Sequence, residues 1–346
     1  MEVAIWIGFF ALITFFIGLD LGVFNRNDHV VTLKESLLWT CVWVTLALCF
    51  NGVVYYLYEQ GLMHPPGVEG GGLGKKAAIE FFTGYLIEYS LSIDNIFVMA
   101  VIIGHFRVPQ SYQHRLLFWG ILGAAILRAI MIFAGTALIT EFKWLIYVFG
   151  AMLIFSAVKM LVTRDETLDT DENWFVKLVG RVIRVSKTFH GHHFFAKENG
   201  QRVATPMFVA LMLIESTDVM FAIDSIPAVF SVTTDPFIVF TSNIFAILGL
   251  RSLYFALAGM IDKFHYLKMS LVFLLAFVGA KMLLSGVFHI PNEISLGIIA
   301  AILAVGVLAS LLDPSKSTDE PSSHAHGKKT PDNDDQDHEL DKKEWS

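Results

Sequence analysis

Apolar positions in this chain gather into long unbroken runs instead of alternating with polar ones. Nine such runs, 2–24, 37–57, 77–103, 116–139, 144–162, 206–231, 237–259, 267–288 and 294–312, predict nine helical spans. A helix rises about 1.5 Å per residue, so about 20 apolar residues cross a hydrocarbon layer about 30 Å thick. The expected fold class is therefore an all-α membrane protein with about nine transmembrane helices. Residues 1–312 form the membrane domain, interrupted by a long polar loop at 163–205. Residues 313–346 are polar, lack apolar periodicity, and are expected to be a disordered tail.

Composition agrees with this pattern. The chain is 55% apolar and 16% charged, with a mean hydropathy of +0.59, far from an ordinary soluble domain. The first run has no basic start and ends in LDLGVFNR, without a small-residue cleavage site, so it is expected to stay in the membrane. Both cysteines, Cys41 and Cys49, lie inside the second run and read as small apolar residues; neither a disulfide framework nor a zinc knuckle is available. The net charge of −7 owes much to the tail and gives no support to nucleic-acid binding. No GxxxxGK[ST] motif is present, which argues against ATP drive, and no nucleophile–base pair or redox dithiol points to an enzyme.

Loop charges predict the orientation. Arg26, Lys34, Arg107, Arg115, Arg164, Lys177, Arg181, Arg184, Lys187, Lys197, Arg202, Lys263 and five tail lysines fall on one side, against Lys75, Lys76 and Lys143 on the other. The richer side is cytoplasmic, placing the N-terminus outside and the C-terminus inside.

The chain also matches itself. At an offset of 130, LSIDNI (91–96) lies over FAIDSI (221–226), pairing Asp94 with Asp224 and Glu88 with Asp218. LRAIMIFAG (127–135) then matches LRSLYFALAG (250–259), pairing Arg128 with Arg251, and FSAVKMLV (155–162) matches FVGAKMLLS (277–285), pairing Lys159 with Lys281. Three spans correspond in order, spans 3–5 (about 77–162) with spans 6–8 (about 206–288). An odd number of spans per unit forces the copies to enter the membrane in opposite directions, the inverted-repeat plan common in secondary transporters.

Five acids are expected at membrane depth: Glu88 and Asp94 in the third span, and Glu215, Asp218 and Asp224 in the sixth. Each costs about 2.5–3.5 kcal/mol near the bilayer centre, which calls for a function or a partner. Glu88 and Asp94 stand about 120° apart around a regular helix, so they do not chelate one ion together. A compact site needs both spans, with Asp94 facing the second repeat and Glu88 at a separate level, or a broken helix. Pro227 is a candidate break that would free the Ile223 carbonyl beside Asp224 and Ser225. Asn95 supplies an amide oxygen in the matching span. The competing role for the acids is structural pairing with Arg128, Arg251, Lys159 and Lys281, of which the two lysines lie near span ends. The arginines are the better counter-charges or gate latches. Carboxylate, amide, hydroxyl and carbonyl oxygens without histidine or cysteine suit Mn²⁺, Mg²⁺ or Ca²⁺. HGHH (190–193) in the loop reads as part of an interfacial helix with scattered histidines, with a metal-loading site as the other reading.

GYLIEYSLSIDNIFVM, VPQSYQHRLLFWGILGAAILRA and ESTDVMFAIDSIPAVF together resemble the TerC family of integral membrane proteins, and in particular its Alx branch. LDLGVF and ESLLWTCVWV extend the resemblance over residues 1–312. It implies manganese export across the bacterial inner membrane, with no permanently bound cofactor and Mn²⁺ as the cargo. It also implies metal-site roles for Glu88, Asp94, Asn95, Glu215, Asp218, Asp224 and Ser225. Exchange with protons is the expected drive, because clustered acids that bind a metal release it on protonation. The alternative is a membrane partner that delivers metal to, or assists assembly of, exported proteins, or a tellurium-resistance factor.

Overall fold

The computed structural model describes residues 1–24, 32–65, 67–68, 70–162, 185–186, 191, 193–198, 201–257, 267–288 and 290–312. The tail and most of the 163–205 loop, with His190 and His192 of HGHH, lie outside the described residues. Among the described residues, ten helices and one strand pair follow in order: α1 (Glu2–Phe24), α2 (Leu33–Glu59), α3 (Gly74–His105), α4 (Gln110–Glu141), α5 (Leu145–Val162), β1 (Phe195–Glu198), β2 (Gln201–Ala204), α6 (Pro206–Phe230), α7 (Pro236–Leu248), α8 (Leu250–Leu257), α9 (Leu267–Leu284) and α10 (Asn292–Leu312).

Among the described residues, seven helical stretches are long and apolar enough to cross a membrane, α7 and α8 counting as one; Glu2–Gly18 and Met269–Leu284 are shorter apolar helices. The chain is a multi-pass, all-α membrane protein. Its burial pattern agrees: Phe155, Val162 and Val305 are largely exposed, whereas Glu88, Arg128 and Asn243 are fully buried. Apolar side chains coat the outside because lipid, unlike water, does not penalise them, and the costly polar groups turn inward.

Local chemistry sets several helix ends. Thr32 caps α2 by accepting from the Glu35 N–H at 3.4 Å. Asp235 caps α7, its Oδ1 accepting from the Phe237 and Ile238 N–H groups at 2.9 and 3.4 Å, while its Oδ2 accepts from the Tyr58 hydroxyl at 2.7 Å. Burial pushes the Asp235 carboxyl up, and these hydrogen bonds oppose the shift. Pro206 and Pro236 stand in the first turns of their helices, where no backbone donor is needed.

Two expectations change here. Pro227 does not break its helix, because α6 continues to Phe230 and Pro227 sits in its last, fully packed turn. The interruption falls instead at Gly249, between α7 and α8. At the end of the polar loop, Phe195–Glu198 and Gln201–Ala204 pair as antiparallel strands, where a continuous helix was expected; the expectation for HGHH itself lies mostly outside the described residues.

Helix packing is reciprocal. Helix α3 packs on α7 and α6 packs on α4, while α5 and α9 pack most extensively on each other. Aromatic rings from α1, α2 and α7 fill the core beside α3; Phe50 and Phe245 lie 4.7 Å apart between centroids. The α5–α9 contact depends on two glycines. A Cβ at Gly279 would lie 2.9 Å from the Gly150 carbonyl oxygen, and one at Gly150 would lie 3.1 Å from the Gly279 carbonyl oxygen. Backbone cannot move aside as a flexible side chain can. Gly279→Ala is therefore expected to cost about 1–3 kcal/mol, seen as a lower melting midpoint in detergent.

Candidate functional site

The interior of the bundle holds a charged cluster assembled from four helices. Arg128 of α4 is completely buried and lies between Glu88 of α3 and Asp218 of α6. Its Nη1 pairs with Glu88 Oε1. Its Nη2 donates to Asp218 Oδ1 at 2.8 Å and its Nε to Asp218 Oδ2 at 3.2 Å, a bidentate fork. Asn243 of α7 closes the ring, accepting from Arg128 Nη1 at 3.5 Å and donating to Glu88 Oε2 at 2.9 Å. Ser92 donates to Glu88 Oε1 at 3.3 Å, and Asn95 Nδ2 donates to Asp218 Oδ1 at 3.4 Å.

Two carboxylates face one guanidinium, so with all three ionised the cluster carries one surplus negative charge. In a water-free interior such charges persist only when paired and hydrogen-bonded. The Asn243 and Ser92 bonds meet that need at Glu88, and the Asn95 bond does so at Asp218. The acids matched by the internal repeat, Glu88 and Asp218, thus grip the same arginine.

Glycines in α4 allow this approach. A Cβ at Gly120 would lie 3.2 Å from Ile214 Cγ2, and one at Gly123 would overlap the Glu215 carboxyl group. Contacts that pair Gly120 with Ile214, Gly123 with Glu215, Arg128 with Asp218 and Gly135 with Phe230 show that α4 and α6 run parallel. Gly123→Ala is expected to expel Glu215 from its seat and destabilise the fold by about 1–3 kcal/mol, and the penalty should largely vanish in a Glu215→Ala background. Melting midpoints of the four proteins of that cycle check this.

The remaining expected site residues are distributed around the cluster. Asp94 is half-buried, and its neighbour Asn95 reaches Asp218. Asp224 is half-buried against α5, where it accepts from the Ser156 hydroxyl at 2.7 Å. Helices α3 and α4 are joined by residues 106–109 alone and so run in opposite directions; with α4 parallel to α6, α3 opposes α6. From Glu88 and Asp218, Asp94 and Asp224 are therefore each displaced by about 9 Å, toward opposite ends of the bundle. Glu88 and Asp218 share the central cluster, which corrects the expectation that Glu88 occupies a level apart from the second repeat.

Three oxygens in this region have no hydrogen-bond partner although they are buried: Asn95 Oδ1, Glu215 Oε2 and Ser225 Oγ. An orphaned buried acceptor costs about 1–3 kcal/mol, which a bound cation would offset. Among the described residues, no three His, Cys, Asp or Glu side chains converge to hold a metal ion. Two of the five acids, Glu88 and Asp218, converge on Arg128 instead.

The other three bases stand elsewhere. Arg251, in α8, is buried beside a small cavity lined by Glu35, His114 and Phe255. Lys159 is exposed at the end of α5. Lys281 Nζ donates to Asn292 Oδ1 at 3.1 Å, and Asn292 Nδ2 in turn donates to Glu80 Oε1 at 3.0 Å. Asn243 and Ser92 were not expected. Their signal was an amide and a hydroxyl inside apolar runs, weaker than a formal charge.

The sequence profile described as the integral membrane protein TerC family matches residues 73–318. An uncharacterized membrane protein of Myxococcus xanthus is 50% identical over 325 residues, covering 94% of this chain and 96% of its own. A putative membrane-bound redox modulator, Alx, of Escherichia coli K12 is 43% identical over 302 residues, 87% of this chain and 92% of its own. An uncharacterized membrane protein of Rickettsia bellii is 39% identical over 307 residues, 89% of this chain and 97% of its own. No solved structure matches.

Proposed function

The chain belongs to the TerC family of integral membrane proteins, in its Alx branch, and we propose that it is a secondary transporter exporting Mn²⁺ across the bacterial inner membrane. The observation that carries this reading is a set of buried oxygens without partners along α3 and α6: Asn95 Oδ1, whose amide reaches Asp218, Glu215 Oε2 one turn before Asp218, and Ser225 Oγ next to Asp224. They are hard ligands of the kind Mn²⁺ takes, along a line that Asp94 and Asp224 extend toward opposite ends of the bundle. The inverted repeat supplies the means of alternating access, with nine spans, an external N-terminus and a cytoplasmic C-terminus. Asp94 then serves entry from the cytoplasm and Asp224 release outside. Exchange with protons drives the cycle through the acids of the path beyond the Glu88–Arg128–Asp218 pairs, Asp94, Glu215 and Asp224, since acids stripped of a divalent ion take up protons readily. Other hard divalent cations, Mg²⁺ and Ca²⁺, are the nearest alternative cargo.

The Escherichia coli relative carries a redox name. Cys41 and Cys49, the two cysteines of this chain, stand eight residues apart on one helix, about 12 Å, beyond the roughly 7 Å a disulfide spans. A dithiol couple within one chain is therefore not what these cysteines provide.

Mn²⁺ uptake into proteoliposomes, with and without an imposed proton gradient, tests the proposal. Wild type is expected to move Mn²⁺ faster with the gradient, and Asp94→Asn and Asp224→Asn are each expected to lose at least tenfold in flux. No protein-dependent movement of any divalent metal would sink the transporter reading. Full flux in both variants would instead refute the path assignment.

A further inference from the structure

We propose that Arg128 is a tethered competitor of the transported cation: its guanidinium fills the seat between Glu88 and Asp218 when no metal is bound, and a divalent ion enters only by displacing it. The inference rests on the transporter reading above. It starts from the geometry of one guanidinium paired with two carboxylates that come from different repeats, all three residues almost entirely buried.

An exporter must return its empty site across the membrane. Two adjacent ionised carboxylates without a cation could not make that journey, because burying unpaired charge is prohibitive. Arg128 supplies the missing cation from within the chain, so the empty carrier is internally paired. The same arrangement sets the valence of the cargo. A monovalent ion would bring only the charge that the guanidinium already provides, and it would lack the high effective concentration a tether confers. A divalent ion brings one charge more and neutralises both acids by itself; the cluster with Arg128 included then passes from one surplus negative charge to one surplus positive, with Asn243 Oδ1 within reach of the withdrawn guanidinium.

Neighbouring groups suit such an exchange. Asn243 Nδ2 donates to Glu88 Oε2, an oxygen other than the one Arg128 holds, so Glu88 stays oriented as the guanidinium withdraws. Asn95 Oδ1 has no partner while Arg128 is in place, although its Nδ2 already touches Asp218. It is a ready neutral ligand for an ion seated there. Arg128 is thus a residue that determines cargo valence and permits net transport.

Mn²⁺ binding to the purified full chain, read by the loss of its free-ion electron paramagnetic resonance signal, tests the competitor role. Glu88→Gln leaves Asp218 neutralised by Arg128 and is expected to weaken Mn²⁺ binding at least tenfold. Adding Arg128→Gln to Glu88→Gln frees Asp218 and is expected to recover most of that loss. An arginine that only holds the fold together predicts the opposite, a double variant that binds no better than Glu88→Gln, and that result would overturn the proposal. The double variant also keeps the one surplus negative charge of wild type, so the two proteins are compared at equal cluster charge.

A second measurement separates net movement from exchange. In proteoliposomes Arg128→Gln should lose net Mn²⁺ movement at least tenfold more than Mn²⁺/Mn²⁺ counterflow, and Arg128→Lys should regain part of the net movement. Equal losses in both modes would count against the proposal. A wild type that moves no divalent metal condemns the transporter reading itself, whereas a transporting wild type with a non-recovering double variant condemns the competitor alone.

Discussion

Replacing Arg128 with methionine is expected to destabilise the protein by about 3–5 kcal/mol, because it strands Glu88 and Asp218 as buried, unpaired carboxylates. Methionine preserves much of the side-chain volume, so the loss reports charge rather than a cavity. Glu88→Gln made together with Arg128→Met removes one of the stranded charges and should recover part of the loss. Melting midpoints in detergent check both, with several degrees expected for the single variant. A midpoint unchanged by Arg128→Met would mean that the cluster is hydrated or already protonated, and that the guanidinium does not hold α3, α4 and α6 together.

The second large effect concerns flux. Asp218→Asn keeps the size and the hydrogen-bonding shape of the side chain while removing its charge. Losing one partner of a buried charged contact typically costs about 2–5 kcal/mol, which corresponds to roughly 30-fold or more in binding. Mn²⁺ transport by Asp218→Asn is accordingly expected to fall on the order of 30-fold or more at sub-saturating metal. Asp235→Asn makes a suitable control. Asp235 is also a buried aspartate, but it caps α7 away from the cluster, and asparagine caps helices about equally well. It should transport within about twofold of wild type. If the two variants lost flux equally, a general penalty for touching buried acids would explain the result better than a cation site.

Much of the fold was legible because membrane helices announce themselves. Apolar runs at 37–57, 77–103, 116–139, 144–162, 206–231 and 237–259 foretold α2 to α7, with ends off by several residues. The ends are poorly marked because a helix continues into polar residues wherever its backbone bonds can still form, as α3 does back to Gly74 and α4 back to Gln110. Pro227 misled for a related reason. Its chemistry disfavours a helix, but in the last turn only one hydrogen bond is at stake, and the buried Ala228, Val229 and Phe230 hold the turn in place. The strand pair within 195–204 was missed because its strands are only four residues each, too short to show an alternating pattern against a charged background.

The candidate site was legible in membership more than in arrangement. The offset of 130 set Glu88 over Asp218, the two acids that meet at Arg128, and an ionisable residue inside an apolar run is conspicuous in any sequence. Pairing by repeat also suggested that Arg128 and Arg251 play matching parts. Their places differ: Arg128 lies inside one unbroken helix, whereas Arg251 follows the Gly249 interruption and lines a small cavity with His114 and Phe255. Asn243 takes a place in the central ring although it carries no charge to draw attention.

The sequence by itself determined that this chain spans a membrane many times and that a few acids must lie within it, because the free energy of inserting each residue type into lipid depends on composition and length alone. Only the tertiary structure decided which charges meet. Arg128 sits 40 residues from Glu88 and 90 from Asp218, and its choice of partners was set by how closely α4 could approach α6. That approach depends on Gly120 and Gly123, whose missing side chains leave room for Ile214 and Glu215. Buried electrostatic energies change over one or two ångströms of helix separation, a quantity that belongs to packing and is written in no single segment of the chain.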